Sequence, residues 1–128
     1  MIPGRKKTPG QICEDRACAY LLERGYKVLG RNIRSGRREI DIIVRDGRNL
    51  VVVEVRSKRR WSPMEDSEVV GYEKRRNVVK AAREIVGTYV KKGDTVRFDV
   101  VIVITDRRNE MVSLDHIINA YSATGEII

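Results

Sequence analysis

Histidine is almost missing from this sequence: His116 stands alone, and there are only two cysteines, Cys13 and Cys18. A single histidine without a Cys or His neighbour reads as a structural or surface side chain rather than a metal ligand. Two cysteines make neither a four-ligand zinc site nor a disulfide framework. They read as small apolar fillers of a helix, pointing to different faces because they are five residues apart. Long apolar runs are also missing. The longest, Val100 to Ile104, is far too short to cross a bilayer. The opening residues, Met1 to Lys7, carry charges with no apolar segment behind them, so no signal peptide is expected and the protein is expected to be cytoplasmic. No Walker loop and no dinucleotide-binding glycine pattern occurs, so neither ATP hydrolysis nor redox chemistry has support.

What is present is charge. The 128 residues suit one domain with a single core, and 41% apolar content is ordinary for a folded chain. The net charge of +8 is unevenly spread. Residues 1–60 hold 16 Lys and Arg against 7 Asp and Glu, a balance of +9, whereas residues 61–128 hold 10 against 11, a balance of −1. A cationic half of this kind attracts polyanions, with DNA or RNA first among them. An anionic membrane is the weaker candidate, because no segment joins the basic run to a strong apolar face.

Residues 1–9 read as a flexible basic lead, and 10–128 as one domain. From Gly10 to about Arg24 an apolar face of Ile12, Ala17, Tyr20 and Leu21 predicts a helix, stopped by Gly25. Tyr26–Ile33 reads as a strand, Arg34-Ser35-Gly36 as a turn and Arg38–Val44 as a second strand. Strict alternation puts Ile40, Ile42 and Val44 on one face of that strand, with Glu39, Asp41 and Ile43 on the other. Asp46-Gly47 is a hairpin signal, and Leu50–Val55 is a third, β-branched strand. Trp61 to Ser67 reads as a loop near the site. A helix is predicted from Ser67 or Tyr72 to Tyr89, with Val78, Val79, Ala82, Ile85, Val86 and Tyr89 inward. After a turn at 91–94, Arg97–Ile104 is apolar on both faces, as in a covered central strand reached by a crossover. Met111–Leu114 adds a short strand, and Ile117, Ile118 and Tyr121 form a terminal turn or short helix. The fold class is therefore α/β, a mixed sheet flanked by helices in the order α-β-β-β-α-β plus a last short strand.

Two carboxylates stand out. Asp41 lies among Ile40, Ile42 and Ile43, and Glu54 among Val51, Val52, Val53 and Val55. Desolvating a carboxylate in such a run is costly unless it meets a cation or a donor. The hairpin at Asp46-Gly47 sets the two strands side by side, so the carboxylates can meet. A divalent metal turns their repulsion into coordination, and oxygen ligands suit Mg²⁺ or Mn²⁺. The alternative is a pair of carboxylates matched by arginines. By strand parity Glu54, Arg56 and Lys58 share the face of Val52, presenting one acid followed by two cations. Arg56 can clamp a phosphate oxygen but is a poor general base, whereas a lysine can lose its proton. A basic strand end facing solvent is the competing reading. Trp61, following Arg59 and Arg60, suits base stacking or core packing equally, and Lys74 suits phosphate contact or a solvated helix face. Phe98 reads as core. Asp99 and Arg97 alternate on one strand as a structural pair.

Glu14, the stretch Arg38-Glu39-Ile40-Asp41-Ile42-Ile43, the strand Val51-Val52-Val53-Glu54-Val55-Arg56, Lys74, and Arg97-Phe98-Asp99-Val100-Val101 together resemble the YraN family of small bacterial proteins. That family is similar to archaeal Holliday-junction resolvases and to the restriction-endonuclease-like superfamily. The resemblance covers roughly residues 10–121, and it implies a restriction-endonuclease-like domain. It implies that Asp41 and Glu54 are the two acids of the PD-(D/E)xK pattern, with Glu14 completing a Mg²⁺ or Mn²⁺ environment from the first helix. Two positions depart from the pattern: Arg38 stands where glycine is usual, and Arg56 where lysine belongs, with Lys58 a candidate substitute. The implied activity is metal-dependent hydrolysis of phosphodiesters in branched or structured DNA. A nucleic-acid-binding domain that keeps the fold without turnover is the alternative. Arg37, Arg38, Arg59, Arg60, Lys74 and Arg75 are the cations expected to meet DNA. A homodimer is implied by relatives that act on two strands.

Overall fold

The computed structural model describes residues 6–61 and 71–125. Helix α1 (Pro9–Glu23) is followed by strands β1 (Lys27–Ser35), β2 (Arg38–Asp46) and β3 (Asn49–Arg59). Helix α2 (Tyr72–Ile85), extended by a 3₁₀ turn (Val86–Thr88), leads to β4 (Thr95–Thr105) and β5 (Met111–Tyr121). The five strands form one sheet in the order β1-β2-β3-β4-β5. Every neighbouring pair is antiparallel except β3 and β4, which are parallel. The predicted meander and crossover are both present, and the mixed α/β class holds.

Local chemistry sets the boundaries. Thr8 caps α1 through a capping box with Gln11, and Pro9 occupies the first turn, so the cap reaches into the segment read as a lead. Gly25, at φ 88°, ends that helix, with the amides of Gly25 and Tyr26 returning to the carbonyls of Leu22 and Leu21. Gly47, at φ 60°, takes the first central place of the two-residue turn closed by the Asp46–Asn49 pair.

The sheet separates two cores. On one face α2 covers Ile40, Ile43, Leu50, Val52, Phe98, Val100 and Ile102, with Val78, Val79, Ala81 and Ala82 of α2 packed against them. On the other, Cys13, Ala17, Cys18 and Leu21 of α1 cover Ile42, Val44, Val51, Val53, Val101 and Val103.

Four expectations are corrected. Both cysteines are free and belong to the same buried stripe of α1, because the helix lies flat enough to bury a broad face; Ile12 is exposed instead. Ile117, Ile118 and Tyr121 are in no terminal helix. They belong to β5, whose strand continues to Tyr121 through an irregularity at Asn119, which sits in the left-handed region at φ 56°. In β2 the two-residue alternation breaks: Ile40 and Ile43 both face α2, whereas Ile42 and Val44 face α1. The break falls at Asp41, beside Asn32 of β1 (φ 51°). Finally, Arg75 does not lie on an exposed helix face. It is 8% exposed, and its Nε donates to the Gly125 carbonyl at 2.7 Å. Beyond Trp61, the loop expected near the site lies outside the described residues.

Candidate active site

The antiparallel ladder between β2 and β3 runs from the Asp46–Asn49 pair to Ile42–Val53 and ends there. Continuing that register by one step pairs Asp41 with Glu54. The sheet forks at this point, and the Asp41 side chain does what the ladder no longer does: its Oδ2 accepts the Val55 amide at 2.9 Å. Glu54, still in regular β3 geometry, is carried inward on the α2 side at 3% exposure. Directly opposed residues of an antiparallel pair share a face, as Ile43 and Val52 do, so the hairpin register itself sets Asp41 and Glu54 side by side. The fork adds the amide bond that anchors Asp41 there.

The electrostatics of that place are unfavourable without a cation. Glu54 is pushed up from 4.5 to about 8, first by burial and then by the adjacent Asp41. Lys74 and Arg56 oppose the shift. Lys74 Nζ, reaching from the first turn of α2, lies 3.7 Å from Glu54 Oε1. Glu54 Oε2 is fully buried and has no hydrogen-bond partner among the described residues. A buried carboxylate oxygen without a donor is rare in folded proteins and calls for an explanation. A hard divalent cation would satisfy it, and two carboxylates are the donor set such an ion prefers.

Glu14 enters from α1 and is half-buried. Its carboxyl is raised first by burial and next by Asp41, while Arg31 pulls the other way. The Asn32 amide nitrogen, turned toward the acids, donates to Glu14 Oε1 at 2.7 Å and to Glu39 Oε1 at 3.0 Å. Glu39 is further held by Arg34 at 3.5 Å. Among the described residues, no three acidic, His or Cys groups close around a single metal position. Asp41 and Glu54 thus form the inner pair, and Glu14 stands as an adjoining acid tied to Asn32.

The expected cations separate into groups. Arg56 is exposed and Lys58 half-buried on the strand beyond Glu54. Arg37, Arg38 and Lys74 line one cavity of about 270 Å³ with Glu39 and Asn77, and Lys74 links it to Glu54. Arg59 and Arg60 lie further along, next to Trp61. Lys74 reads in the sequence as a phosphate contact or a solvated helix face, and no spacing ties it to Glu54, because the link crosses from helix to strand. Asn32 was missed altogether. Its one signal is that asparagine tolerates the left-handed backbone that a fork requires.

On the α1 face Asp99 is fully buried. It accepts from His116 Nε2 at 2.8 Å, Arg97 Nε at 3.0 Å and the Asn119 amide at 2.9 Å. His116 Nδ1 meets the Tyr20 hydroxyl at 3.1 Å, and Arg97 also donates to the Tyr26 hydroxyl at 2.9 Å. His116 is structural, as its isolation suggested.

The fold and this acid pair meet a known family. Residues 13–103 match the family described as Uncharacterised protein family UPF0102. A UPF0102 protein of Chlorobium phaeobacteroides is 36% identical over 116 residues, covering 88% of this chain and 92% of that one. One from Persephonella marina is 37% identical over 112 residues, covering 88% and 91%. Another from Anaeromyxobacter dehalogenans is 43% identical over 94 residues, covering 73% and 70%. The chain belongs to this family. The family, also known as YraN, is related to the PD-(D/E)xK restriction-endonuclease-like and junction-resolvase proteins, and the mixed sheet flanked by helices has that topology.

Proposed function

We propose that this protein is a metal-dependent endonuclease acting on branched or otherwise structured DNA. The observation that carries the reading is the buried, unpartnered Glu54 Oε2 beside Asp41 at the fork of the sheet. Asp41 and Glu54 are the residues to hold Mg²⁺ or Mn²⁺, with Glu14 alongside. When bound, such an ion supplies Lewis-acid activation of water and neutralises charge on the phosphate.

The remaining work falls to the chain's own groups. Asp41 is anchored at the fork by the Val55 amide, which donates to its Oδ2. Arg56, always charged, suits a phosphate oxygen through its planar fork and does not serve as a base. Lys74 is the amine nearest Glu54 and offers charge stabilisation where a pattern lysine is replaced. Lys58 is the other substitute, roughly 6 to 7 Å beyond Arg56 along the strand. Arg37 and Arg38 extend the cationic cleft in which a DNA backbone can lie.

The test is cleavage of four-way, flap and linear DNA in Mg²⁺ or Mn²⁺ by the wild type, E54A, R56K, K58A and K74A. Cutting by the wild type that E54A abolishes, with DNA binding retained, is the expected result. A wild type that binds but never cuts under either metal removes the reading. The second reading, a non-catalytic DNA-binding domain, is favoured by one observation, Arg56 in the lysine position; cutting gained only in R56K would identify that residue as the reason.

A further inference from the structure

Trp61 is the only tryptophan in the chain, and it is 51% exposed. An indole left in water needs an explanation, and its neighbours suggest one. The guanidinium carbon of Arg59 lies 5.6 Å from the ring centroid and that of Arg107 lies 5.1 Å from it. Both distances are those of cation–π contact. Arg60, Asp106 and Arg108 complete an open cavity of about 350 Å³ against the ring.

The platform is fixed to the sheet from both sides. The Arg60 amide donates to the Thr105 carbonyl at 2.9 Å, continuing the β3–β4 alignment past the last strand residue. Asp106 accepts the backbone amides of Arg108 and Glu110 at 2.8 and 3.1 Å, closing the β4–β5 turn that presents Arg107. Its carboxylate is therefore engaged by the turn, and among the described residues four arginines dominate the outward charge around one flat aromatic face.

We propose that Trp61, Arg59 and Arg107 form a stacking platform for an unpaired base of the DNA bound at the fork. The proposal rests on the reading that this protein acts on DNA. A π face accepts any base, and the arginines meet the adjoining phosphates, the combination that recognises single-stranded nucleic acid. Stacked pairs in a continuous duplex offer no free face, so the platform discriminates in favour of strands with unpaired bases. Residues 54 and 59 are about 16 Å apart along β3 at ordinary strand rise. The platform therefore sits a short stretch of strand away from the acid pair, on the side toward which Arg56 and Lys58 extend.

Because Trp61 is unique, its fluorescence reports on this site alone. The measurement is a titration of the full chain, in EDTA, with a single strand of about 16 nucleotides and with a blunt duplex of the same sequence. Single-strand binding that quenches the indole, with little quenching by the duplex, is expected. W61A should weaken single-strand binding by about tenfold while leaving duplex binding within about twofold, and W61F should recover most of the loss. Circular dichroism and thermal melting should be the same for all three proteins, since the ring is exposed. Equal quenching by both DNAs, no quenching by either, or unchanged single-strand affinity in W61A overturns the platform. Quenching by anionic lipid vesicles but not by DNA overturns it too and assigns the patch to membrane. No metal or cleavage is needed, so the two readings fail separately. An absence of cutting by the wild type, with the W61A loss still confined to single strands, removes only the nuclease, and cutting that persists while W61A binds normally removes only the platform.

Discussion

Glu54 and Asp99 are buried carboxylates one register step apart on adjacent parallel strands, and they differ in almost everything else. Asp99 faces α1 and meets donors from Arg97, His116 and the Asn119 amide, which hold its carboxyl below the ordinary range despite burial. Glu54 faces α2, with Lys74 at 3.7 Å and one oxygen unsatisfied, and is pushed up to about 8. Burial acts in the same direction on both. The number of donors aimed at the anion decides the outcome, and it separates a carboxylate that completes a fold from one that is kept for a ligand.

Asp41 and Asp99 make a second contrast. Asp41 accepts the amide freed where β2 and β3 part, and Asp99 accepts the amide freed where β5 departs from regular pairing at Asn119. Both repair an irregular sheet. Only Asp41 has another carboxylate, Glu54, beside it.

The sharpest way to break this contrast is to remove Asp99. Asp99→Ala leaves Arg97 and His116 buried without their acceptor, and chemical denaturation should report a loss of about 3 kcal/mol or more. A loss under about 1 kcal/mol would show that the network is not what joins α1 to β4 and β5.

Arg75→Ala comes next. Its bond to the Gly125 carbonyl ties α2 to the segment after β5, so stability should fall by about 2 kcal/mol. The affinity for DNA, measured by fluorescence anisotropy, should stay within about twofold. A large loss of DNA binding in a stably folded variant would return Arg75 to the cationic surface.

Glu54→Gln should act in the opposite direction on stability. It removes a buried charge and gives Asp41 an amide donor, so without metal the fold should gain about 1 kcal/mol at pH 9, while any cleavage is lost. The pH dependence follows from the same group. A folded-state value raised from 4.5 to about 8 contributes stability in full below 4.5 and loses it as pH rises through about 8. Asp99, lowered, contributes stability present above 3.8 and lost as pH falls through its folded value. Metal-free wild type should therefore melt at progressively lower temperature from pH 4.5 to 8, and E54Q should lose most of that slope, keeping the part that the raised Glu14 carboxyl contributes. Parallel melting profiles for the two proteins would show that Glu54 is not the titrating group.

The smallest effect is expected from Lys74→Ala. Its ammonium is 44% exposed, so folding should change little. The slope of log affinity against log salt should fall in magnitude by about one unit if Lys74 meets a phosphate. An unchanged slope would confine Lys74 to its pairing with Glu54.

Much of this was legible in the chain because strand and turn chemistry is local. β-branched runs, Asp46-Gly47 and the both-sided apolar strand at 97–104 place the meander and the crossover without knowledge of contacts. The acid pair was legible for the same reason, since one hairpin sets its register. What could not be read depends on tertiary irregularity. Strict alternation through β2 hides the break at Asp41, and a polar, interrupted sequence hides β5 beyond Leu114. Arg75 looks identical to its neighbours Lys74 and Arg76 until the helix is docked; rotation about the helix axis then buries one, aims another at Glu54 and leaves the third outside. The bridge from Asn32 to Glu14 and Glu39 joins three elements and has no sequence period at all.

The parallel pairing of β3 with β4 also bears on the order in which the site is acquired. Glu14, Asp41 and Glu54 all lie within the first 54 residues, on a helix and a meander whose pairings are short-range. Lys74 comes from the crossover, and β4 pairs with β3 across 46 positions, as in Asn49 with Thr95. Local hairpins close sooner than pairings that span long loops. The growing chain is therefore expected to gather its acids before it has made the helix that carries their counter-charge, a transient that divalent ions would ease. Pulsed amide exchange during refolding, showing β2 amides protected no earlier than those of β4, would rule out that sequence of events.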